Sequence, residues 1–248
     1  MNFIDKDLRT FLTQLYKPFA FILILWAIKL YEVFHNVKLT RFGIYPREAD
    51  GMLGIITAPF IHSDVMHLLS NTFPLLILIV CLTYFYKRVA LATTIIIWLM
   101  TGIAVWLFAR PSYHIGASGV VYGLIGFVLF SGLFRRNTVA IILSLLILSV
   151  YSSYFTGFKK EEGISWESHF IGAIAGLITA FAFKNIKEDT EKIIETDQQN
   201  EKRIYDYFLP RDIFQKTKQQ RAYEARLAYQ DMLRQQQIES LGNNTTKP

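Results

Sequence analysis

The stretch Gly116-Ala117-Ser118-Gly119 joins a polar loop to an apolar run at residues 120–133. Together with the serine, that run is long enough for a membrane helix. Ser118 would then lie in the first turn of the helix, and the small residues beside it leave room for other groups to approach its hydroxyl. We therefore predict that Ser118 is a nucleophile that works inside a membrane.

The rest of the composition also indicates a membrane protein. Of the 248 residues 52% are hydrophobic, and they occur in long runs with few charges rather than in the pattern of a soluble core. Six runs lie at residues 18–34, 67–86, 90–109, 118–134, 138–155 and 168–183. We predict an all-α membrane protein: an N-terminal segment at 1–17, a bundle of six transmembrane helices at 18–186 and a partly helical tail at 187–248.

Basic residues predict the topology. Residues 1–186 contain 15 Lys or Arg and 9 Asp or Glu, whereas the tail contains 11 of each, so the net charge of +6 belongs to the membrane part. There it indicates orientation rather than nucleic-acid binding. Basic residues cluster before span one, after spans two and four, and after span six, which puts both termini in the cytoplasm. We expect a multi-pass protein of a bacterial inner membrane, with no cleaved signal peptide.

Two segments outside the spans carry further expectations. The connection at residues 35–66 is long and mixes charges with an apolar stretch, so it should fold on or partly into the membrane surface. The tail lacks Gly and Pro at 212–238 and should form a cytoplasmic helix, either solvated or lying on a surface. Lys29 and Glu32, near the end of the first span, are three residues apart and should pair or extend to the interface.

Polar residues inside spans usually mark a function, because burying them in lipid is costly. His67 and Asn71 are four residues apart and therefore share one helical face, where their N–H groups suit a developing oxyanion. His62 precedes them. For His62 alone, a packing or capping role near the start of the span is favoured over a role in the chemistry.

His169 opens the sixth span as Ser118 opens the fourth, so the two side chains should lie at similar depth. A histidine base within ~3 Å of a serine hydroxyl is the minimum for nucleophilic catalysis. Gly172 and Gly176 form a small-residue stripe, predicted to pack this helix closely against glycines 119 and 123 of the fourth span. Tyr122 lies one turn below Ser118 on the same face.

Other assignments remain open from the residues alone. His114, in the loop before Ser118, is a competing base, ranked lower because no rigid hold on that loop is evident. Asp64 or Glu167 could orient a histidine and complete a triad, although a Ser–His dyad is the simpler account. No cluster of Cys, His and carboxylate suggests a metal, and no cofactor is expected.

The motifs resemble those of the rhomboid family of intramembrane serine proteases, over residues 18–186. Gly116-Ala117-Ser118-Gly119 is similar to the family's G-x-S-G. His169 with its two following glycines is similar to the second catalytic motif. The three polar residues at the start of span two, His62, His67 and Asn71, fit H-x-x-x-x-H-x-x-x-N.

The resemblance implies that Ser118 is the nucleophile and His169 the base. His67, Asn71 and the backbone N–H of Ser118 would form the oxyanion hole, and Tyr122 would stack on His169. We assign the oxyanion and substrate-binding region to five residues: His67, Asn71, Gly116, Tyr122 and His62. The first connection would embed in the outer leaflet, and the loop before span six would cap the site.

The implied activity is cleavage of transmembrane segments of other proteins near the extracytoplasmic face. In one departure, Leu53-Gly54 stand where many members have Trp-Arg, which puts the packing of the first connection in question. Two other classes remain: a catalytically inactive binder of membrane proteins, which the intact serine and histidine disfavour, and a small transporter, for which no internal repeat is seen. Substrate and oligomeric state do not follow from the sequence.

Overall fold

A computed structural model of the protein describes residues 3–136, 138–158, 165–188 and 216–244. The chain divides into two compact units, Met1–Glu191 and Lys192–Pro248. Helices of the first unit are α1 (Phe3–His35), α2 (Gly54–Thr57), α3 (Val65–Phe85), α4 (Ala90–Phe108), α5 (Ser118–Arg135), α6 (Thr138–Val150) and α7 (Trp166–Ala182). The second unit contains α8 (Lys218–Asn244), which overlaps the predicted tail helix; most of residues 187–215 lie outside the described part.

Each predicted span corresponds to a helix, and four helical segments are long and apolar enough to cross a membrane. These four are Pro18–His35, Val65–Phe85, Ala90–Phe108 and Ser118–Arg135. Helix α6 has 13 residues and α7 has 17, or about 20 and 26 Å, which is shorter than the roughly 30 Å hydrocarbon core. The chain is thus an all-helical membrane protein in its described parts, and a count of six crossings stays a prediction.

Two expected helix ends differ in the structure. Helix α1 begins at Phe3, so Pro18 lies inside it rather than in its first turn, where the sequence had suggested it. The residues before Pro18 contain no Gly or Pro, and the helix continues through them. The second difference is the C-terminal end of α6. This helix stops at Val150, and a 3₁₀ helix at Ser152–Phe158 takes the place of the last turn of span five.

Helix α5 is the centre of the first unit. About 72% of its span is buried, compared with 28% for Pro18–His35. Its contact with α7 is made through glycines: a Cβ added at Gly172 would lie 2.1 Å from the Gly119 carbonyl oxygen, and one at Gly176 would lie 2.1 Å from that of Gly123. The two backbones therefore touch directly, which confirms the predicted glycine stripe. We call this contact the α5–α7 seam.

The first connection has a fold of its own, built from 3₁₀ helices at Thr40–Phe42, Ala49–Leu53 and Ala58–Phe60 together with α2. Two indole N–H groups of α4 bind its carbonyls: Trp98 donates to Ile55 at 2.9 Å, and Trp106 donates to Glu48 at 3.0 Å. Arg47 donates back to the Ala109 carbonyl at 2.9 Å. These contacts fix the connection against α4.

The departure at Leu53-Gly54 has a structural reason. A Cβ at Gly54 would lie 2.2 Å from the Ile44 backbone nitrogen, so a larger residue does not fit there. The Leu53 side chain is 54% exposed, and Met52 and Ile56 are each about half exposed. This exposed apolar face is consistent with the predicted insertion into the membrane surface.

Candidate active site

Ser118 and His169 meet at one end of the α5–α7 seam. Ser118 is the first residue of α5, and His169 lies in the first turn of α7. The His169 Nε2 atom is 2.9 Å from the Ser118 Oγ atom, within the distance expected for a base and its nucleophile. The backbone contact between Gly119 and Gly172 holds the two first turns side by side, within reach of this hydrogen bond.

The other ring nitrogen of His169 determines the direction of that bond. Nδ1 lies 2.8 Å from the Gly157 carbonyl oxygen, which can only accept a hydrogen bond. In the neutral ring Nδ1 therefore carries the proton, and Nε2 accepts from the Ser118 hydroxyl. This is the tautomer that a general base requires.

Tyr122 and Gly157 hold the His169 ring on its flank. The Tyr122 and His169 rings are stacked, with centroids 4.2 Å apart and planes 13° from parallel. The Tyr122 hydroxyl donates to the Tyr154 carbonyl. A Cβ at Gly157 would lie 1.9 Å from that hydroxyl oxygen, so only glycine brings its carbonyl this close to His169. Sequence reasoning missed Gly157; its one signal was a glycine in the polar loop between spans five and six.

His67 and Asn71 lie across the cavity from this pair, on the first turns of α3. The His67 ring packs on Gly116: a Cβ there would lie 2.9 Å from His67 Nε2, and the φ of Gly116 is +100°, a conformation that favours glycine. Asn71 is 3% exposed, and its Nδ2 donates to the His67 carbonyl at 2.9 Å. An amide nitrogen has two hydrogens, so a second one remains for a ligand.

His62 lies next to the residue that precedes Ser118. Its Nε2 accepts a hydrogen bond from the Ala117 backbone N–H at 3.4 Å, next to Ser118. Such a bond requires a neutral ring, and burial, followed by the nearby His67, lowers the pKa of His62 to about 3. Neither His62 nor Gly116 lines the cavity that Ser118 and His169 line. Both residues therefore lie behind the cavity lining, and their assignment to the substrate-binding region stays a prediction.

The competing residues contact other partners. His114 is firmly held, contrary to expectation, because its backbone pairs with Ile44 through two hydrogen bonds of 2.8 and 2.9 Å. Its Nδ1 contacts Ser165 Oγ, and its Nε2 lies 3.1 Å from the Arg110 carbonyl. Burial lowers the pKa of His114.

Neither acid considered for a triad contacts His169. Asp64 caps α3 by accepting from the His67 backbone N–H at 2.8 Å, and a hydrogen bond from Ser63 is the main reason that its pKa is lowered. Glu167 forms an ion pair with Arg110 at 3.4 Å. The position of a third triad member is occupied instead by the Gly157 carbonyl.

Ser118 and His169 line a cavity of about 830 Å³. Besides the serine and the histidine, its lining includes hydroxyl, amide and imidazole groups from residues 63–71, 110–115, 153–157 and 165. Among the described residues no group of three or more His, Cys, Asp or Glu could hold a metal. The predicted cap before α7 falls largely on residues 159–164, outside the described residues.

Comparison with known proteins finds a matching family and several relatives. A family model described as Rhomboid domain matches residues 49–186. An uncharacterized protein of Mycobacterium tuberculosis is 34% identical over 172 residues, covering 65% of this chain and 72% of that protein. An uncharacterized Mycobacterium leprae protein is 30% identical over 186 residues, covering 71% and 74%. Bacillus subtilis YdcA, named as a candidate rhomboid protease, is 26% identical over 201 residues, covering 74% and 96%.

Proposed function

This chain belongs to the rhomboid family, and on that premise we propose that it is an intramembrane serine endopeptidase with a Ser118–His169 dyad. The observation that carries the proposal is the 2.9 Å hydrogen bond between Ser118 Oγ and His169 Nε2 in a polar cavity of a membrane protein. A serine alcohol becomes a useful nucleophile only when a positioned base takes its proton.

The first chemical step is acylation. Ser118 Oγ attacks the scissile carbonyl carbon while its proton moves to His169 Nε2, and a tetrahedral oxyanion forms. The imidazolium is stabilised because its Nδ1–H already donates to the Gly157 carbonyl. His169 then gives the proton to the leaving amine, the C–N bond breaks, and an ester between substrate and Ser118 remains.

Water completes the reaction. A water molecule in the cavity loses a proton to His169 Nε2 and attacks the ester, and the same histidine returns the proton to Ser118 as the acid product leaves. Hydroxyl and amide groups in the lining of the cavity support this step, because they can hold water where an apolar surface cannot.

Three donors for the oxyanion come from two helices in this proposal. The backbone N–H of Ser118 lies in the first turn of α5, where N–H groups have no partner within the helix. His67 and the second amide hydrogen of Asn71 approach from α3. Donors fixed before reaction stabilise the transition state without reorganisation, which is the largest single contribution in most acyl transfers.

We place the site at the extracytoplasmic end of the bundle and the substrate in the membrane. The side chains of the site occupy the first turns of α3, α5 and α7, hence one end of the bundle. Basic residues cluster at the opposite ends of α3 and α5, which by the positive-inside rule is the cytoplasmic end. Transmembrane segments of other proteins are the substrates we expect.

Proteomics of membrane stubs tests the function. Cells that express the wild type should accumulate new N-termini inside or next to transmembrane segments of other proteins, and cells that express Ser118→Ala to the same level should not. Identical termini in both samples would refute the protease assignment. An inactive binder of membrane proteins or a transporter predicts that identical pattern, so the experiment separates the protease from both.

A further inference from the structure

A buried ion pair lies on α1, away from the dyad. Lys29 and Glu32 are 7% and 6% exposed, and the Lys29 Nζ atom is 2.9 Å from Glu32 Oε2. The two residues thus pair, and neither extends to the interface. Burying two charges costs roughly several kcal/mol of desolvation energy, and their mutual attraction often only offsets this cost. A buried ion pair is therefore weak evidence for stability. Ionisable groups kept inside a membrane bundle mark a function by default.

The remaining contacts of Lys29 lead to the site. Its ammonium donates to the His62 carbonyl at 2.8 Å and to the Ser63 carbonyl at 3.2 Å. With Glu32 these two carbonyls use all three N–H donors of the ammonium. One charged group on α1 therefore holds two consecutive peptide units of the turn that precedes α3.

Each of those two residues touches a different side of the oxyanion position. His62 Nε2 accepts from the Ala117 N–H, next to the nucleophile. Ser63 Oγ lies 3.1 Å from His67 Nδ1, the ring nitrogen on the far side from Gly116, and 2.7 Å from Asp64 Oδ2. A shift of the turn at residues 62–63 would thus move both the backbone that carries Ser118 and the His67 ring.

We propose that Lys29 is a positioning residue for the oxyanion hole, acting through the His62 and Ser63 carbonyls that it binds. This inference rests on the proposed protease function. Glu32 has a different role. Its Oε2 holds Lys29, while its Oε1 accepts from the Leu39 backbone N–H at 2.8 Å and fixes the start of the first connection.

Variants that break the same ion pair from opposite sides separate positioning from charge balance. Lys29→Met removes the donors to both carbonyls. Glu32→Gln removes the charge partner, but it leaves Lys29 bound to both carbonyls and keeps an acceptor for Leu39. The double variant Lys29→Met/Glu32→Gln has no unpaired charge and still lacks the donors. Lys38→Met, at an exposed lysine of the first connection, is the control for loss of a lysine.

The readouts are kcat and KM for a transmembrane reporter in proteoliposomes, with the midpoint of thermal unfolding measured on the same samples. We expect kcat of the double variant to fall about 10- to 100-fold, the effect of misplacing reacting groups by about 1 Å, with KM near the wild-type value. Glu32→Gln and Lys38→Met should keep the wild-type kcat. Lys29→Arg, which can donate to both carbonyls, should recover part of the loss.

Either of two results would overturn the inference while the protease assignment stands. One is a wild-type kcat in the double variant, which would make Lys29 only a counterion of Glu32. The other is a loss of kcat in Glu32→Gln equal to that in Lys29→Met. If the wild type itself does not cleave, the proposed function fails, and the inference fails with it.

Discussion

Two serine–histidine contacts line the same cavity near the first turns of α5 and α7. In one, Ser118 begins α5 and His169 comes from α7. In the other, His114 comes from the loop before α5, and Ser165 immediately precedes α7. In both pairs one ring nitrogen faces a backbone carbonyl, that of Gly157 or Arg110, and the other faces the serine hydroxyl.

The surroundings distinguish the pairs. The Ser118 hydroxyl lies in a first helical turn, on a cavity that His67 and Asn71 also line, and its histidine is stacked on Tyr122. Ser165 Oγ also contacts Ser168 Oγ at 2.7 Å, so it is engaged in a second hydrogen bond. A serine–histidine hydrogen bond therefore does not identify a nucleophile by itself; in our proposal the oxyanion donors near Ser118 make the difference.

The largest expected effect separates the two serines. Ser118→Ala should lower the cleavage rate of a transmembrane reporter in proteoliposomes by at least about 10⁴-fold, because it removes the hydroxyl that His169 Nε2 contacts. Ser165→Ala is the matched control and should cleave at close to the wild-type rate. Loss of cleavage in Ser165→Ala with normal activity in Ser118→Ala would reverse the assignment.

Substitution of His169 should lower kcat more than substitution of His114, but by a smaller factor than substitution of Ser118. His169→Ala should lower kcat about 10²- to 10⁴-fold, the usual contribution of a general base. His114→Ala removes contacts with Ser165 and the Arg110 carbonyl, and it should leave kcat largely intact. Equal losses in the two variants, measured with the same reporter, would mean that the pairs act together.

The next prediction compares Asn71, a proposed oxyanion donor, with a neighbouring residue that has no proposed role. Asn71→Ala should raise the activation barrier by about 2–4 kcal/mol, since a donor to the developing oxyanion is lost. Ser70→Ala is its control: Ser70 lines the same cavity and also donates to the His67 carbonyl, but we assign it no role in the reaction. An unchanged kcat in Asn71→Ala would remove that residue from the site.

The packing of the α5–α7 seam is tested by substitution of its glycines. Gly172→Ala places a Cβ 2.1 Å from the Gly119 carbonyl oxygen and should cost about 1–3 kcal/mol of unfolding free energy, with reduced cleavage. A Cβ at Gly102 would lie 2.9 Å from Ile55 Cγ2 and 3.1 Å from the Ile55 carbonyl oxygen, a looser fit than at Gly172, so the cost of Gly102→Ala should be smaller. Thermal unfolding in detergent measures both. Equal midpoints in the two variants would mean that the seam is not tightly packed.

The smallest effect concerns His62, which supports only the Ser118 side. Its pKa is lowered to about 3 in the folded protein, so as pH falls the unfolded chain, with a histidine pKa near 6.5, takes up the proton first. This contribution to stability is complete above pH ~6.5 and is lost as pH falls from there toward 3. The unfolding midpoint should drop between pH 7 and pH 5, and it should drop less in His62→Asn. Identical drops would show that His62 takes no part.

Features set by local spacing could be predicted from the sequence. Ser118 and His169 each open an apolar run, and the glycines at intervals of four follow each of them, so the helical period alone brings these first turns together. The six helical segments follow from the same apolar runs. The spacing of His67 and Asn71 suggested their oxyanion role, which stays a prediction, whereas the stacking of Tyr122 on His169, implied by the resemblance, is observed.

Contacts between distant loops could not be predicted. The Gly157 carbonyl, the His114–Ser165 contact and the bonds from Lys29 to residues 62 and 63 join segments that no periodic pattern relates. The end of α6 at Val150 was missed for a related reason, since an apolar run does not show where an α-helix gives way to a 3₁₀ helix.

The central claim is that Ser118, activated by His169, is the nucleophile. Its most direct test is mass-spectrometric mapping of the adduct after wild-type protein in proteoliposomes reacts with a fluorophosphonate. We predict one phosphonylated residue, Ser118, with no adduct in His169→Ala under the same conditions. An adduct on Ser165, or undiminished labelling of Ser118→Ala, would contradict it.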